Sequence, residues 1–398
     1  MIVFLAAVAL SGPLVLELPD DKQPYITVQA VVKLGVLNGK EQALAQILHD
    51  TLLDATENYN EEQIWQYSTL AGESMRCTLS GDHFRIQLAV PKGQMSLAGE
   101  LTSELLERAR FAEDVIQADI VTTPNRPASY WSELLQPFKL DYRKIHHEDV
   151  VNFYRKTFTP ENTTIAIAGP FSSGEGKAAM DKYLDGWSAP KRPSYVRRYE
   201  DPPPPLLARH AFPVTTVELY GPEFGSSEAD FAAHLLVTSA LGVGKGCSMF
   251  RILREKMGLS YIQQGIVAPT PGGFQTHLVM VQSPAEDEAP QVETMRAALA
   301  ADVATWDEAT RQRAMGMALA FLQNEAIATP LYLDGAGAVG FGNEDKVFLT
   351  AYWTEKMGHA WDPAAILHEM RQVNLDEMKK MAADLVANAQ GGVIHGGS

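Results

Sequence analysis

The order of apolar and polar positions divides the chain into short strands and helical pairs. PLVLELP (13–19) and YITVQAVVKLG (25–35) are rich in β-branched residues and bounded by Pro, Asp and Gly, which predicts two strands. A helix is expected from about Gly39 to Ala55. Within it Leu44, Ile47, Leu48 and Leu52 share an apolar face, and Gln46, His49 and Asp50, at i, i+3 and i+4, share the opposite one. Asn60 with Gln63 three residues on has the spacing of a capping box and predicts a second helix start. SMRCTLSGDHFRIQLAVP alternates on both sides of Ser80-Gly81-Asp82, as a hairpin does. Helical periodicity follows from Gln94 to about Val121 with a break near Phe111, then from Glu148 to Thr157, and NTTIAIAGP (162–170) reads as a buried strand.

A stretch with four consecutive prolines, RRYEDPPPPLLARH (197–210), can continue neither a helix nor a central strand. After it the same order returns. The strand VTTVELYGPE precedes helices at Glu228–Leu241 and Ser248–Met257. A hairpin of YIQQGIVA and FQTHLVMVQSP turns through Thr270-Pro271-Gly272-Gly273. Helices from about Ala285 to Asn324, broken near Thr305, lead on to the closing helix LDEMKKMAADLVANA and the strand GGVIHGG. That ending matches the end of the first half, where HEDVVNFYRKTFTPEN runs into TTIAIAGP. The expected fold class is therefore α+β, with two similar domains, each an antiparallel sheet with helices packed on one face. Their boundaries are expected at 13–196 and 211–398, joined by a linker at 197–210.

Charge and cysteine content remove several function classes. With 33 basic and 49 acidic residues the net charge is −16, and no basic run offers a local exception, so no nucleic-acid partner is expected. Cys77 and Cys247 are too few for a disulfide framework and too isolated for a zinc ribbon. The start, MIVFLAAVALSG, is apolar, lacks a preceding basic residue and is too short to span a bilayer, so residues 1–12 are expected to be either a signal segment or an extra buried strand. The first alternative places the chain in a bacterial periplasm and the second in the cytoplasm. No other segment is apolar enough to cross a membrane.

SMFRILREKMGLSY (248–261) resembles a signature segment of the pitrilysin/insulinase-type zinc peptidases, relatives of mitochondrial processing peptidase, and IHHEDVVNFYRKTFTPENTTIAIAGP resembles the helix, Pro-Asn turn and strand that close the family's first domain. The resemblance implies a LuxS/MPP-like metallohydrolase fold. In that family an H-x-x-E-H helix binds zinc through both histidines, its glutamate is the general base, and a distal glutamate completes the ligand set. The register places Gln46 at the first histidine, His49 at the glutamate and Asp50 at the second histidine, and the distal glutamate falls near TTPNRP, which has no acidic residue. Neutral amide oxygen is a poor zinc ligand, and one His with one Asp falls short of three ligands. No metal and no catalytic residue is therefore expected in this chain.

The second-half signature departs less. The resemblance matches Arg254 and Tyr261 to an arginine–tyrosine pair that holds the scissile carbonyl and stabilises the developing oxyanion. Read without it, Arg254 caps a helix end before Gly258 and Tyr261 packs in a sheet. LGVGKGCS (241–248) lacks G-x-x-x-x-G-K-[ST], so Gly242, Gly244 and Gly246 are expected in a flexible loop beside a substrate cleft and not around a phosphate. The implied role is a non-catalytic subunit that supplies Arg254 and Tyr261 to a zinc-bearing H-x-x-E-H partner, as a heterodimer or, without that partner, a homodimer, with peptides or unfolded segments as substrate. Two alternatives stay open: a scaffold protein resembling the core subunits of bc1 complexes, and an active enzyme with a divergent site.

Overall fold

The computed structural model describes residues 12–35, 37–68, 75–122, 142, 145–187, 207–210, 214–282, 289–322 and 343–396. Contacts divide the chain into two units, the first from the described residues of Met1–Arg126, Leu140–Val196 and Gly342–Trp361, the second from those of Arg197–Phe341 and Asp362–Ser398. Each unit holds one five-stranded sheet. The first contains β1 (Leu14–Pro19), β2 (Tyr25–Lys33), β3 (Arg76–Leu79), β4 (His83–Pro91) and β5 (Thr163–Gly169) in the order β1-β5-β2-β4-β3. The second contains β6 (Leu207–His210), β7 (Thr215–Phe224), β8 (Ile262–Thr270), β9 (Gly273–Gln282) and β10 (Gln390–Gly396) in the order β6-β10-β7-β9-β8. The two orders correspond strand for strand, so the internal repeat expected from the sequence is present. Each sheet is mixed where an antiparallel one was expected, because β1 runs parallel to β5 and β6 parallel to β10. The first strand of each unit meets its last across a long helical crossover, and only a connection of that length permits a parallel pair.

In the first unit, α1 (Gly39–Thr51), α2 (Glu61–Ser68), α3 (Met95–Glu107), α4 (Glu113–Thr122) and α5 (His147–Thr157) follow the predicted helical segments closely, and α6 (Glu175–Tyr183) adds a helix not among them. Asn38 and Glu41 form a capping box at α1, and Asn60 with Gln63 bonds reciprocally at the start of α2. Ile26, Val28, Ala30, Val32, Phe84, Ile86, Leu88 and Val90 alternate onto one sheet face and pack with Ile47, Leu48 and Leu52 of α1 and Leu101 and Leu105 of α3. This apolar layer is the core that fixes the position of α1.

The opposite face of the same sheet is polar yet buried. Arg85 donates to Gln29 at 2.9 Å and to Gln87 at 3.0 Å, and its guanidinium lies 4.3 Å from the ring of Phe348. The cover is α10 (Asn343–Met357), which the expected boundaries place in the second domain and which packs on β2 and β5 of the first unit. Its attachment is ionic: Lys356 meets Asp82 at 2.6 Å, Tyr352 donates to the same carboxylate at 3.2 Å, and Glu355 pairs with Lys33 at 3.2 Å. Burial alone would raise the Asp82 carboxyl, but Lys356 and the His83 hydrogen bond outweigh it and hold Asp82 down at about 2. The helices are thus confined to one face only for the locally connected elements.

In the second unit α7 (Glu228–Gly242) occupies the place that α1 has in the first, between the sheet and α9 (Glu308–Leu322), α11 (Pro363–Gln372) and α12 (Leu375–Asn388). The remaining helix, α8 (Ala289–Ala304), lies beside α12, whose C-terminal carbonyls accept from Arg296 at Val386 (2.6 Å) and Ala389 (2.8 Å). His277 is buried here and His234 partly so. Desolvation lowers His277 to about 3 and His234 to about 4. The expected linker is shorter than its predicted span, because its last four residues form β6, and residues 197–206 lie outside the described ones.

Candidate functional site

The outward face of α1 brings its three polar residues together. Gln46 donates to Asp50 at 3.0 Å and lies 3.4 Å from His49 Nδ1, and His49 Nδ1 is 2.7 Å from Asp50 Oδ1. Leu44, Ile47, Leu48 and Leu52 are buried beneath them, as the helical spacing predicts. The imidazole and the carboxylate are therefore committed to each other. A zinc ion would have to break that contact and would gain one nitrogen, one carboxylate and a neutral amide, so these residues do not fit the metal that the resemblance attaches to this helix. Among the described residues no three His, Cys, Asp or Glu side chains converge to hold a metal ion. The TTPNRP stretch, where the distal glutamate would fall, runs past Thr122 into residues outside the described ones.

Around this face the carboxylates crowd. Burial first, and then the charges of Glu61, Asp119 and Asp50, raise Asp54 to about 6. The neighbourhood has accumulated negative charge where a metalloenzyme would have set a cation.

Arg254 stands in a short segment with a different backbone. Phe250–Lys256 is a π-helical turn, in which Met257 N donates to Ile252 O at 3.0 Å. Such turns are rarer than α-helix and recur at functional positions. The turn ends at Gly258, whose φ of +66° is strained for any residue with a Cβ, and Leu259 N returns to Leu253 O at 2.8 Å. This exit brings Tyr261 to the head of β8.

Arg254 Nη1 donates to the Tyr261 carbonyl at 2.9 Å, and the guanidinium carbon lies 5.1 Å from the Phe250 ring and 5.0 Å from the Tyr261 ring. The pair that the sequence singled out is therefore in contact. Tyr261 is 74% exposed, and Met257 and Ile262 beside it are exposed too. Among the described residues no carboxylate forms an ion pair with Arg254. An arginine near two rings, with one donor bonded and no acceptor for the others among the described residues, has donors to offer an acceptor from outside.

The three glycines have separate situations. Gly242 is buried at the end of α7, where a Cβ would come within 2.2 Å of the Gly265 backbone nitrogen on β8. It is the point of closest approach of helix and strand, not a loop residue. Gly244 lies against Met317 and Gly246 against Arg313, both on α9, in the exposed connection that leads to the π turn. The sequence missed the residues that hold this turn from behind, Arg251, Asp302 and Trp306, because pairing across α8 carries no local signal.

Comparison with known proteins agrees with this fold. Residues 144–312 match the family profile described as Peptidase M16 inactive domain. No curated protein matches the sequence. Among solved structures, the chain is similar to a protease from Helicobacter pylori (TM-score 0.76, 14% identity, 98% of this chain and 97% of that one). It is likewise similar to a peptidase M16 inactive domain from Pseudomonas fluorescens (TM-score 0.73, 16% identity, 98% and 96%). The periplasmic protease PqqL from Escherichia coli aligns over 97% of this chain but only 46% of its own length (TM-score 0.67, 14% identity). The resemblance to the inverted-zincin peptidases thus holds in the profile and in the fold, on a chain whose α1 lacks the metal-binding residues.

Proposed function

We propose that this chain, an M16-type fold with an inactive-domain segment, is the non-catalytic subunit of a two-chain zinc peptidase. It supplies Arg254 and Tyr261 to peptide bound at the partner's metal. The carrying observation is the Arg254 guanidinium, bonded to the Tyr261 carbonyl, near the rings of Phe250 and Tyr261, and without a carboxylate partner among the described residues, beside an exposed phenol in a chain of net charge −16. A partly exposed guanidinium is hydrated in the free chain and can exchange that water for a ligand acceptor.

Zinc on the partner would polarise the scissile carbonyl and supply the attacking water. This chain's contribution is positional. The free Arg254 donors and the Tyr261 hydroxyl receive the substrate's carbonyl oxygen and match the negative charge that grows on it, without reorganising. The exposed Met257 and Ile262 offer apolar contact for flanking side chains, and the connection at Gly244 and Gly246 borders the same peptide path, with Gly242 anchoring its start. The substrate class is an extended or unfolded peptide, because the presented groups recognise backbone and do not select one side chain.

The test pairs this chain with an H-x-x-E-H chain from the same organism. Alone, this chain is expected to cleave no unstructured peptide and to retain well under one zinc per chain. Mixed with the partner, it should raise zinc-dependent cleavage. Equal cleavage by the partner with and without this chain would overturn the proposal and favour a scaffold role.

A further inference from the structure

The π turn that carries Arg254 is supported from behind by a buried polar cluster. Asp302, near the C-terminal end of α8, accepts from Arg251 Nη2 at 3.2 and 2.9 Å through its two carboxylate oxygens. Trp306, in the connection to α9, donates its indole N–H to Ser248 Oγ at 3.0 Å and lies 3.3 Å from Asp302 Oδ2. Ser248, Asp302 and Trp306 are all buried. One carboxylate and one indole thus grip the start of the turn at two residues, Ser248 and Arg251, the second of them three positions ahead of Arg254.

A wide turn depends on such support. Its hydrogen bonds span more residues than those of an α-helix and it seldom extends beyond a single turn, so its geometry is set by contacts outside it. Gly258 and Leu259 fix its exit, and the Asp302–Trp306 pair fixes its entrance. Between these two anchors the direction of the Arg254 side chain is determined. A buried carboxylate that gives both oxygens to one guanidinium also resists sliding of the turn, because any slip leaves a charge unpaired.

We infer that Asp302 and Trp306 are positioning residues for Arg254, acting through Arg251 and Ser248, and that peptide recognition depends on them although they lie behind the turn. The inference rests on the reading of Arg254 as the peptide-carbonyl donor. It assigns to the last turn of α8 a role in recognition that neither the sequence signature nor the fold comparison gives it.

The full chain tests this in three measurements on Asp302→Asn, Arg251→Gln, their double variant, and Trp306→Phe, which keeps an aromatic ring and removes the N–H. These are hydrogen exchange across 248–261, thermal stability, and anisotropy of a fluorescein-labelled unstructured peptide, with Arg254→Ala as reference. Loss of a charged hydrogen bond predicts that Asp302→Asn and Arg251→Gln each speed exchange in 248–261 and weaken peptide binding by about tenfold or more. The double variant should be no worse than either single one, since both remove the same pair. Trp306→Phe should shift both readouts in the same direction by less. Unchanged exchange in 248–261, or a rise spread evenly over the second unit, would overturn the inference. If Arg254→Ala binds the peptide as wild type does, the proposed function fails, and the exchange measurement still decides whether the turn is held from α8.

Discussion

The two units repeat one topology and put different things on it. In the first, α1 packs on its sheet with one dry face and one wet face, and the wet face carries Gln46, His49 and Asp50 bonded to one another. In the second, α7 stands in the same place and is buried nearly all round, down to a glycine-to-glycine contact with β8. The elements after these two helices differ as well. The first unit continues into an ordinary capped helix, α2, and the second into a π turn whose Arg254 bonds the Tyr261 carbonyl. On the proposed reading, the chemistry lies in this irregular connection and not in the helix that resembles a catalytic one, whose polar groups bond one another.

The largest effect of a single substitution is expected at Gly242. A Cβ placed 2.2 Å from the Gly265 nitrogen meets backbone, which cannot rotate away. Gly242→Ala should cost the second unit about 3 kcal/mol, at the upper end of overpacking penalties. Hydrogen exchange resolved by unit should show the loss in β8 and β9 and none in β2 and β4. Uniform destabilisation of both sheets would contradict separate cores.

Acid should divide the units next. His277 and His234 are held neutral, near 3 and 4, so the unfolded chain binds more protons than the folded one as pH falls below about 6.5. Their contribution is full above that value and is lost toward the folded values, on the order of 4 kcal/mol for His277 if its burial persists. Asp82 in the first unit is held near 2, so its contribution survives until pH falls below about 4. Unit-resolved exchange, corrected for intrinsic rates, should therefore show the second sheet loosening between pH 6.5 and 4 while the first holds. His277→Gln should abolish most of the difference.

The smallest effects belong to the α1 face. Asp54 titrates near 6, above its unfolded value, so its ionisation destabilises the fold as pH rises from about 4 to 6. Asp54→Asn should stabilise the first unit at pH 7 by about 1 kcal/mol, discounted for its partial exposure to solvent. Replacing His49 and Asp50 together with Ala should change stability by about 0.5 kcal/mol or less and leave peptide binding untouched. A larger loss of binding would return function to α1.

Much of this arrangement is legible in the sequence because the signals are local. The dry face of α1, the Ser80–Asp82 hairpin and the break near Phe111 follow from side-chain periodicity within ten or so residues. The Arg254–Tyr261 pair is visible only through the resemblance of SMFRILREKMGLSY to the family's signature segment; its spacing and Gly258 alone read as a helix end followed by a strand. The features that escape a sequence reading depend on distant partners. α10 is not among the helices expected from the sequence, and nothing within Asn343–Met357 states that Lys356 and Tyr352 will find Asp82 across the chain. The parallel pairing of β1 with β5 is hidden for the same reason: edge order is chosen by crossover connections, not by the strand's own pattern. Gly242 reads as a loop glycine because its need to be small comes from Gly265, on another element.

The most direct measurement is turnover by the proposed two-chain peptidase, reconstituted with an H-x-x-E-H chain, when this chain carries Arg254→Ala, read together with zinc content, dimer fraction and melting temperature. Removal of one preorganised oxyanion donor typically costs about 10²–10³ in turnover. The expected result is a loss of that size with zinc, assembly and stability unchanged, a similar loss for Tyr261→Phe, and an incomplete rescue by Arg254→Lys, whose ammonium lacks the guanidinium's fixed fork. Full turnover in folded, assembled Arg254→Ala would contradict the claim that the second unit carries the chemistry of this chain.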